Sequence, residues 1–141
     1  MIFIDTGAFI ARYVEDDMHH ERANQLWREV AKQRTKLCTS SSVVNETITL
    51  LSRKVSKTFA VEKGVLIYHS AAFEILRSDQ KLELAALEWM NKFKDQKVSF
   101  TDCLSFAFMK SHKITQYFGF DKHFDIAGFA AMIPRNEQLT I

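Results

Sequence analysis

The sequence predicts a three-layer α/β/α domain built on a central parallel sheet, and three observations predict it. Short apolar runs of strand length alternate along the chain with segments whose apolar residues recur at helical period. The first run, Ile2-Phe3-Ile4, shows no polar alternation, as expected of a strand covered on both faces. The composition is that of one globular domain: 141 residues, 47% apolar, 26% charged, one Pro and four Gly. Strands that alternate with helices pair in parallel, with helices on both faces.

Ile2-Phe3-Ile4 is the first strand. After a turn, Ala23, Leu26, Trp27, Val30 and Ala31 trace one face of an amphipathic helix, and Leu37-Cys38-Thr39 is the second strand. Ser41 or Ser42 caps the next helix, along which Val44, Ile48, Leu51 and Val55 repeat. A further helix from Phe59 to Tyr68 leads to a strand over Phe73-Glu74-Ile75-Leu76. Leu82, Ala86, Trp89, Met90 and Phe93 mark another helix; the one from Cys103 to His112 is nearly all apolar in its first two turns, hence buried. Tyr117 to Phe120 reads as a strand, and Ala130 to Ile133 as a last strand stopped by Pro134. No repeat or Pro/Gly-rich linker intervenes, so one domain is expected over residues 1–134, with a polar tail over 135–141.

A chain of this length buries on the order of two-thirds of its unfolded surface, so any metal would serve function rather than folding. Cys38 and Cys103 show no ligand spacing and read as free buried thiols of a cytoplasmic protein. The N-terminus offers no basic leader or signal-length apolar stretch, and no run reaches membrane-span length, so no membrane partner is expected. A net charge of +2 with pI near 8.6 permits a local basic patch without demanding one.

Four acids occupy unusual positions. Asp5 directly follows the first apolar strand, where it is either an N-cap for a helix beginning near Ala8 or a partly buried carboxylate at the sheet's carboxyl edge. Asp121 follows the Tyr117–Phe120 run, with Asp125 four residues on. Asp102 sits in Ser99-Phe100-Thr101-Asp102, the pattern of a capping box. Glu46 lies on a helix face between Val43 and Leu50, where a fully solvated side chain is out of place. In an α/β domain these positions converge on the edge where sites form. At ~5 Å and an effective dielectric near 20, each carboxylate pair costs about 3 kcal/mol, so such a group shares protons or collects a cation. Oxygen ligands alone favour Mg²⁺ or Mn²⁺, and with them a phosphodiester substrate.

Asp5-Thr6, the helix segment Val44-Asn45-Glu46-Thr47, the run Ser99-Phe100-Thr101-Asp102-Cys103-Leu104-Ser105-Phe106, and Phe120-Asp121-Lys122-His123-Phe124 together resemble the acidic signature of PIN-domain ribonucleases, in particular VapC-type toxins. The resemblance spans Ile2 to Pro134, including Gly128-Phe129. It implies a PIN-like domain and an endoribonuclease that hydrolyses RNA with metal-activated water, with Asp5, Glu46, Asp102 and Asp121 as the Mg²⁺ or Mn²⁺ ligands. It further implies a homodimer and a cognate antitoxin, for whose groove Phe9, Ile10 and Tyr13 are candidates. Gly7 departs from the Ser or Asn common in the family two positions after the first acid, and Gly119 interrupts the last motif strand.

Thr6, Thr101, Ser105 and Asp125 are candidates to support the ligands, and Arg53, Lys54 and Lys57 to contact RNA; Lys92, Lys94 and Lys97 form a second basic group. Asp17, His19 and His20 read as surface residues rather than a transition-metal site. A phosphatase would want Asp-x-Asp where Asp5-Thr6-Gly7 stands, and a response regulator an acid pair after the first strand. Two other readings stay open here: a PIN-like module that binds RNA or protein without cleaving, and a housekeeping RNA-processing nuclease.

Overall fold

Ile2–Ile4 forms β1, buried along its whole length at the centre of a five-stranded, all-parallel sheet of order β3-β2-β1-β4-β5. The structure is a computed structural model and describes residues 1–132. From β1 the chain passes through α1 (Thr6–Tyr13) and α2 (His20–Lys32) to β2 (Leu37–Ser40), then through α3 (Ser41–Lys54) and α4 (Lys57–His69) to β3 (Phe73–Leu76). It returns through α5 (Gln80–Lys92) and α6 (Phe100–Ser111) to β4 (Gln116–Phe118) on the other side of β1, and α7 (His123–Ile126) leads to β5 (Ala130–Ala131). Right-handed crossovers running in opposite directions put the two helix sets on opposite faces. The three layers expected from sequence follow.

The strand order reverses between β1 and β4. In open parallel sheets that reversal opens a crevice beyond the carboxyl ends of the two strands, because the connections leave them toward opposite faces. Asp5 and Asp121 lie just past those two strand ends.

Local chemistry explains where the observed boundaries differ from the expected ones. Asp5 is the N-cap residue of α1, which starts at Thr6 rather than near Ala8. Ser40, not Ser41 or Ser42, caps α3, its Oγ accepting the Val43 amide at 3.1 Å. Ser56 caps α4 by accepting the Phe59 amide. β4 ends at Phe118, so Gly119 and Phe120 fall outside the strand. The four-residue α7 has too few residues to show a helical period. It ends at Gly128, whose φ of +100° is the left-handed backbone that glycine supplies. Of the expected last strand, Ala130–Ala131 pairs with β4, while Ile133, Pro134 and the tail over 135–141 lie outside the described residues.

The core is aromatic-rich and holds α6 in place. Residues Cys103 to Met109 of α6 are all buried. Phe9 and Ile10, expected in a groove, are buried but each borders a hollow, Phe9 one of about 980 Å³ that it shares with half-buried Tyr13 and Ile10 one of about 490 Å³. Phe106, with no exposed surface, meets Trp89 at 5.5 Å, Phe93 at 6.2 Å, Phe124 at 5.0 Å and Phe129 at 6.0 Å between ring centroids. It stands one helical turn beyond Asp102, so its packing fixes where that acid sits. Phe106→Ala should therefore lower unfolding free energy by about 3–5 kcal/mol, the usual cost of emptying a large aromatic site, as read from the urea midpoint at unchanged slope.

Candidate active site

Asp5 is only 5% exposed, and its carboxylate makes no capping bond to α1. Its backbone amide donates to the Phe118 carbonyl at 2.9 Å, so the β1–β4 pairing itself fixes its position. Thr39 Oγ1 donates to the Ile4 carbonyl at 2.8 Å and ties β2 to the same strand end. Gly119 passes on the other side. A Cβ there would stand 3.0 Å from Asp5 Cβ and 3.5 Å from its Oδ2, so a side chain would have to push the acid aside.

The other acids come from three further segments. Glu46 projects from the second turn of α3 and is half-buried. Asp102 closes the capping box of α6: its Oδ2 accepts the Ser99 amide at 2.9 Å, and its own amide donates to Ser99 Oγ at 3.1 Å. One carboxylate oxygen is thereby committed and the other is spare. Asp121 Oδ1 accepts the His123 amide at 2.9 Å and pairs with His123 Nδ1 at 2.7 Å. Capping thus leaves Asp102 an oxygen for the hollow it lines, because a carboxylate has two.

Asp5, Thr6, Glu46, Asp102 and Asp121 line one hollow of about 490 Å³, together with Gly7, Ser99, Asp17, His19 and Phe120. Three other hollows are larger, at about 980, 670 and 620 Å³; the first two are rich in cations, so chemistry rather than size selects the acid-lined one. An adjoining hollow shares Glu46 and Leu50 with it and adds Thr101, Phe100 and Arg53. Of the remaining candidates, Ser105 is buried and donates back to the Thr101 carbonyl within α6. Asp125 accepts the Tyr117 hydroxyl at 3.0 Å, and Lys54 and Lys57 are exposed and line neither hollow. Gly7 has room for a side chain, since a Cβ would meet the Phe120 backbone nitrogen at an ordinary 3.8 Å. Sequence reasoning set Asp17 and His19 aside as surface residues and gave His123 no role. Only tertiary contact brings the first two to the acids, whereas a histidine two residues after an acid was a readable sign.

The acids feel one another. Burial, then the charges of Asp102, Glu46 and Asp121, push the Asp5 carboxyl up to about 8, against a weaker opposite pull from the Thr6 amide. Burial also raises Glu46, reinforced by Asp102 and Asp121 and opposed by the Thr6 and Thr101 hydroxyls. Asp102 is raised by burial and by Asp121, while the Ser99 amide and hydroxyl and His123 oppose the rise. Thr6 Oγ1 is buried without a well-formed hydrogen bond, although it is near enough to Glu46 to favour its charged form.

This donor set fits a hard divalent cation. It offers carboxylate and hydroxyl oxygens, a buried acid whose raised pKa a nearby cation would bring down, and a buried Thr6 hydroxyl without a well-formed hydrogen bond. Among the described residues, no three His, Cys, Asp or Glu side chains form a ready-made ligand group.

A PIN domain family model matches residues 2–130. The chain is 34% identical over 134 residues to the 23S rRNA-specific endonuclease VapC20 of Mycobacterium tuberculosis, covering 95% of this chain and 99% of that protein. The crystal structure of Mycobacterium tuberculosis VapC20, described as a Sarcin-Ricin loop cleaving toxin, superposes with a TM-score of 0.85 at 32% identity, over 94% of this chain and 98% of that one. FitAcB from Neisseria gonorrhoeae superposes with a TM-score of 0.70 at 17% identity, over 95% and 98%, which is a likeness of fold.

An acid whose folded pKa lies above its unfolded value adds stability at low pH and loses it as pH climbs to the folded value. In chelator, Asp5 should therefore make the protein less stable as pH rises from about 4 to about 8, at roughly 1.4 kcal/mol per unit of displacement. Asp5→Asn should flatten this slope and melt higher than the parent at pH 8. Asp5 is a cleaner probe than Asp102, whose substitution also breaks a helix cap. Denaturant titrations at pH 5, 6.5 and 8 read the difference, and equal slopes in both proteins would contradict the burial argument.

Proposed function

The chain belongs to the PIN-domain family, and on that premise we propose that it is a divalent-metal-dependent endoribonuclease of the VapC toxin type, with Asp5, Glu46, Asp102 and Asp121 as its working acids. One observation carries the reading: carboxylates from four separate segments, with raised pKa values at three of them, line a single hollow where the sheet reverses direction. A protein gains no stability from crowding buried acids, so the arrangement belongs to chemistry.

Mg²⁺ or Mn²⁺ at this site would polarise the scissile phosphoryl group and offset charge on the leaving oxygen. Asp5, Asp102 and Asp121 are the residues that would hold the cation, directly or through water. Glu46, with Thr6 and Thr101 beside it, orients the attacking water and takes up its proton, a task suited to a carboxylate with a raised pKa. His123 fixes the Asp121 carboxylate by its amide and ring nitrogen. Arg53 and Phe100, in the adjoining hollow past Glu46, suit the phosphate and a base of an RNA strand crossing the acids. The named activity of the VapC20 relatives makes ribosomal RNA the first substrate to test.

The same reading includes a cytoplasmic setting, a cognate antitoxin and a homodimer. No helix among the described residues is long and apolar enough to cross a membrane. Tyr13 lines the hollow of about 980 Å³, a surface for a small protein partner. Val61, Val65 and Tyr68 recur along the outer side of α4 at 65%, 52% and 43% exposure, and an apolar stripe of this kind marks an interaction surface.

With Mg²⁺ or Mn²⁺ the protein should cleave ribosomal RNA, and with chelator it should not. Asp5→Asn, Glu46→Gln, Asp102→Asn and Asp121→Asn should each lower the single-turnover rate by roughly 100-fold or more while remaining folded. Excess Mn²⁺ should stabilise the parent by about 2.7 kcal/mol at a hundredfold excess over Kd, and the ligand variants by less. Full cleavage by both Asp5→Asn and Asp102→Asn would refute the site.

A further inference from the structure

Two rings on the wall of the acid hollow have no part in the chemistry above. His19 and Phe120 stack face to face, with centroids 4.3 Å apart and planes 5° from parallel, and both line the hollow with the four acids. This is the flattest ring pair among the described residues; the pairs of the core are more inclined, from 23° to 87°. His19 lies outside the core cluster, Phe120 lies at its edge, and both remain partly open to solvent.

Both rings are held by backbone that is already fixed. Asp17 Oδ1 accepts the His19 amide at 2.9 Å, and the Asp17 carbonyl accepts the His20 amide at 3.0 Å. The His19 carbonyl in turn accepts the Ala23 amide at 2.8 Å, so His19 is built into the start of α2. Phe120 is the residue between Gly119, pressed against Asp5, and Asp121. The stack is therefore anchored to the same strand end as the acids.

Resting on the ribonuclease reading, we propose that the His19–Phe120 pair is a stacking platform for one unpaired base of the RNA beside the cleaved phosphate, with His19 a positioning residue. A parallel pair whose outer ring borders an open hollow has the form that receives a third flat ring. An aromatic platform takes any base by its π-face and grips strands whose bases are splayed out. The two rings line the acid hollow itself, and Arg53 with Phe100 line the adjoining hollow that shares Glu46 and Leu50 with it, so a strand laid across the acids has both a ring pair and a cation within the two hollows.

The test uses short unstructured RNAs carrying 2-aminopurine at one position at a time, titrated in Mg²⁺ with full-length Glu46→Gln protein to suppress cleavage. Stacking quenches this base, so quenching should appear at one position and be lost when His19→Ala is added. Affinity should then fall by about 5- to 150-fold, the range for losing one base–aromatic stack. His19→Tyr should restore both, and Phe120→Leu, a second variant if His19→Ala does not fold, should weaken both. In the parent background, an abasic nucleotide at the quenched position should raise KM by the same factor as His19→Ala, with no added effect in the double change. Unchanged quenching in folded His19→Ala, failure of tyrosine to restore it, or penalties that multiply independently would overturn the proposal. Cleavage without quenching at any position removes the platform and keeps the ribonuclease, whereas quenching without divalent-dependent cleavage by the parent does the reverse.

Discussion

A carboxylate 5% exposed to water, within electrostatic reach of three others, is the constraint around which this molecule is organised. Burial alone disfavours its charge, and the neighbouring acids add to the cost. The surroundings must hold Asp5 there against that cost. They do so with bonds that leave its side chain alone: the Asp5 amide to the Phe118 carbonyl, and Thr39 to the Ile4 carbonyl. The core contributes through β1, whose three residues are buried on both faces and paired on both edges. The strain is electrostatic and local, and the aromatic core behind α6 resists it.

The remaining acids show how a small domain uses one side chain twice. Asp102 gives one oxygen to its helix cap, and Asp121 gives one to His123. Each keeps a second oxygen for the hollow, so neither the helix start nor the short loop before α7 is weakened by serving the site. This double use also explains why position in sequence cannot separate a structural acid from a functional one. The Ser99–Asp102 pattern is a true capping box, and its acid also lines the hollow.

What could be read in the sequence follows from the range of the forces involved. β1 was legible because a strand covered on both faces has no alternation, and α6 because two turns that are nearly all apolar have no solvent side. Asp5, Glu46 and Asp121 stood out because each breaks a local rule, at a strand end or on an apolar helix face, whereas Asp102 obeys one as a capping-box acid and stood out only alongside the other three. Gly119 was flagged as a weak point in a strand, and its reason proved to be the approach to Asp5. The early end of β4, the short α7 and the His19–Phe120 stack were not legible. The first two depend on one or two backbone bonds rather than a pattern, and the third joins residues far apart in the chain that meet only after folding.

The β1–β4 pairing has a consequence for the chain as it is made. Asp5 leaves the ribosome 116 residues ahead of Asp121, counting from position 5 to position 121, and they become neighbours only when β4 docks beside β1. Contacts so distant in sequence form late, after the intervening helices have collapsed. A nascent or truncated chain ending before β4 has neither the partner that seats Asp5 nor the fourth acid. For a nuclease born on a ribosome, the kind of particle whose RNA its relative VapC20 cuts, this topology keeps the acid hollow unassembled until β4 has emerged and docked.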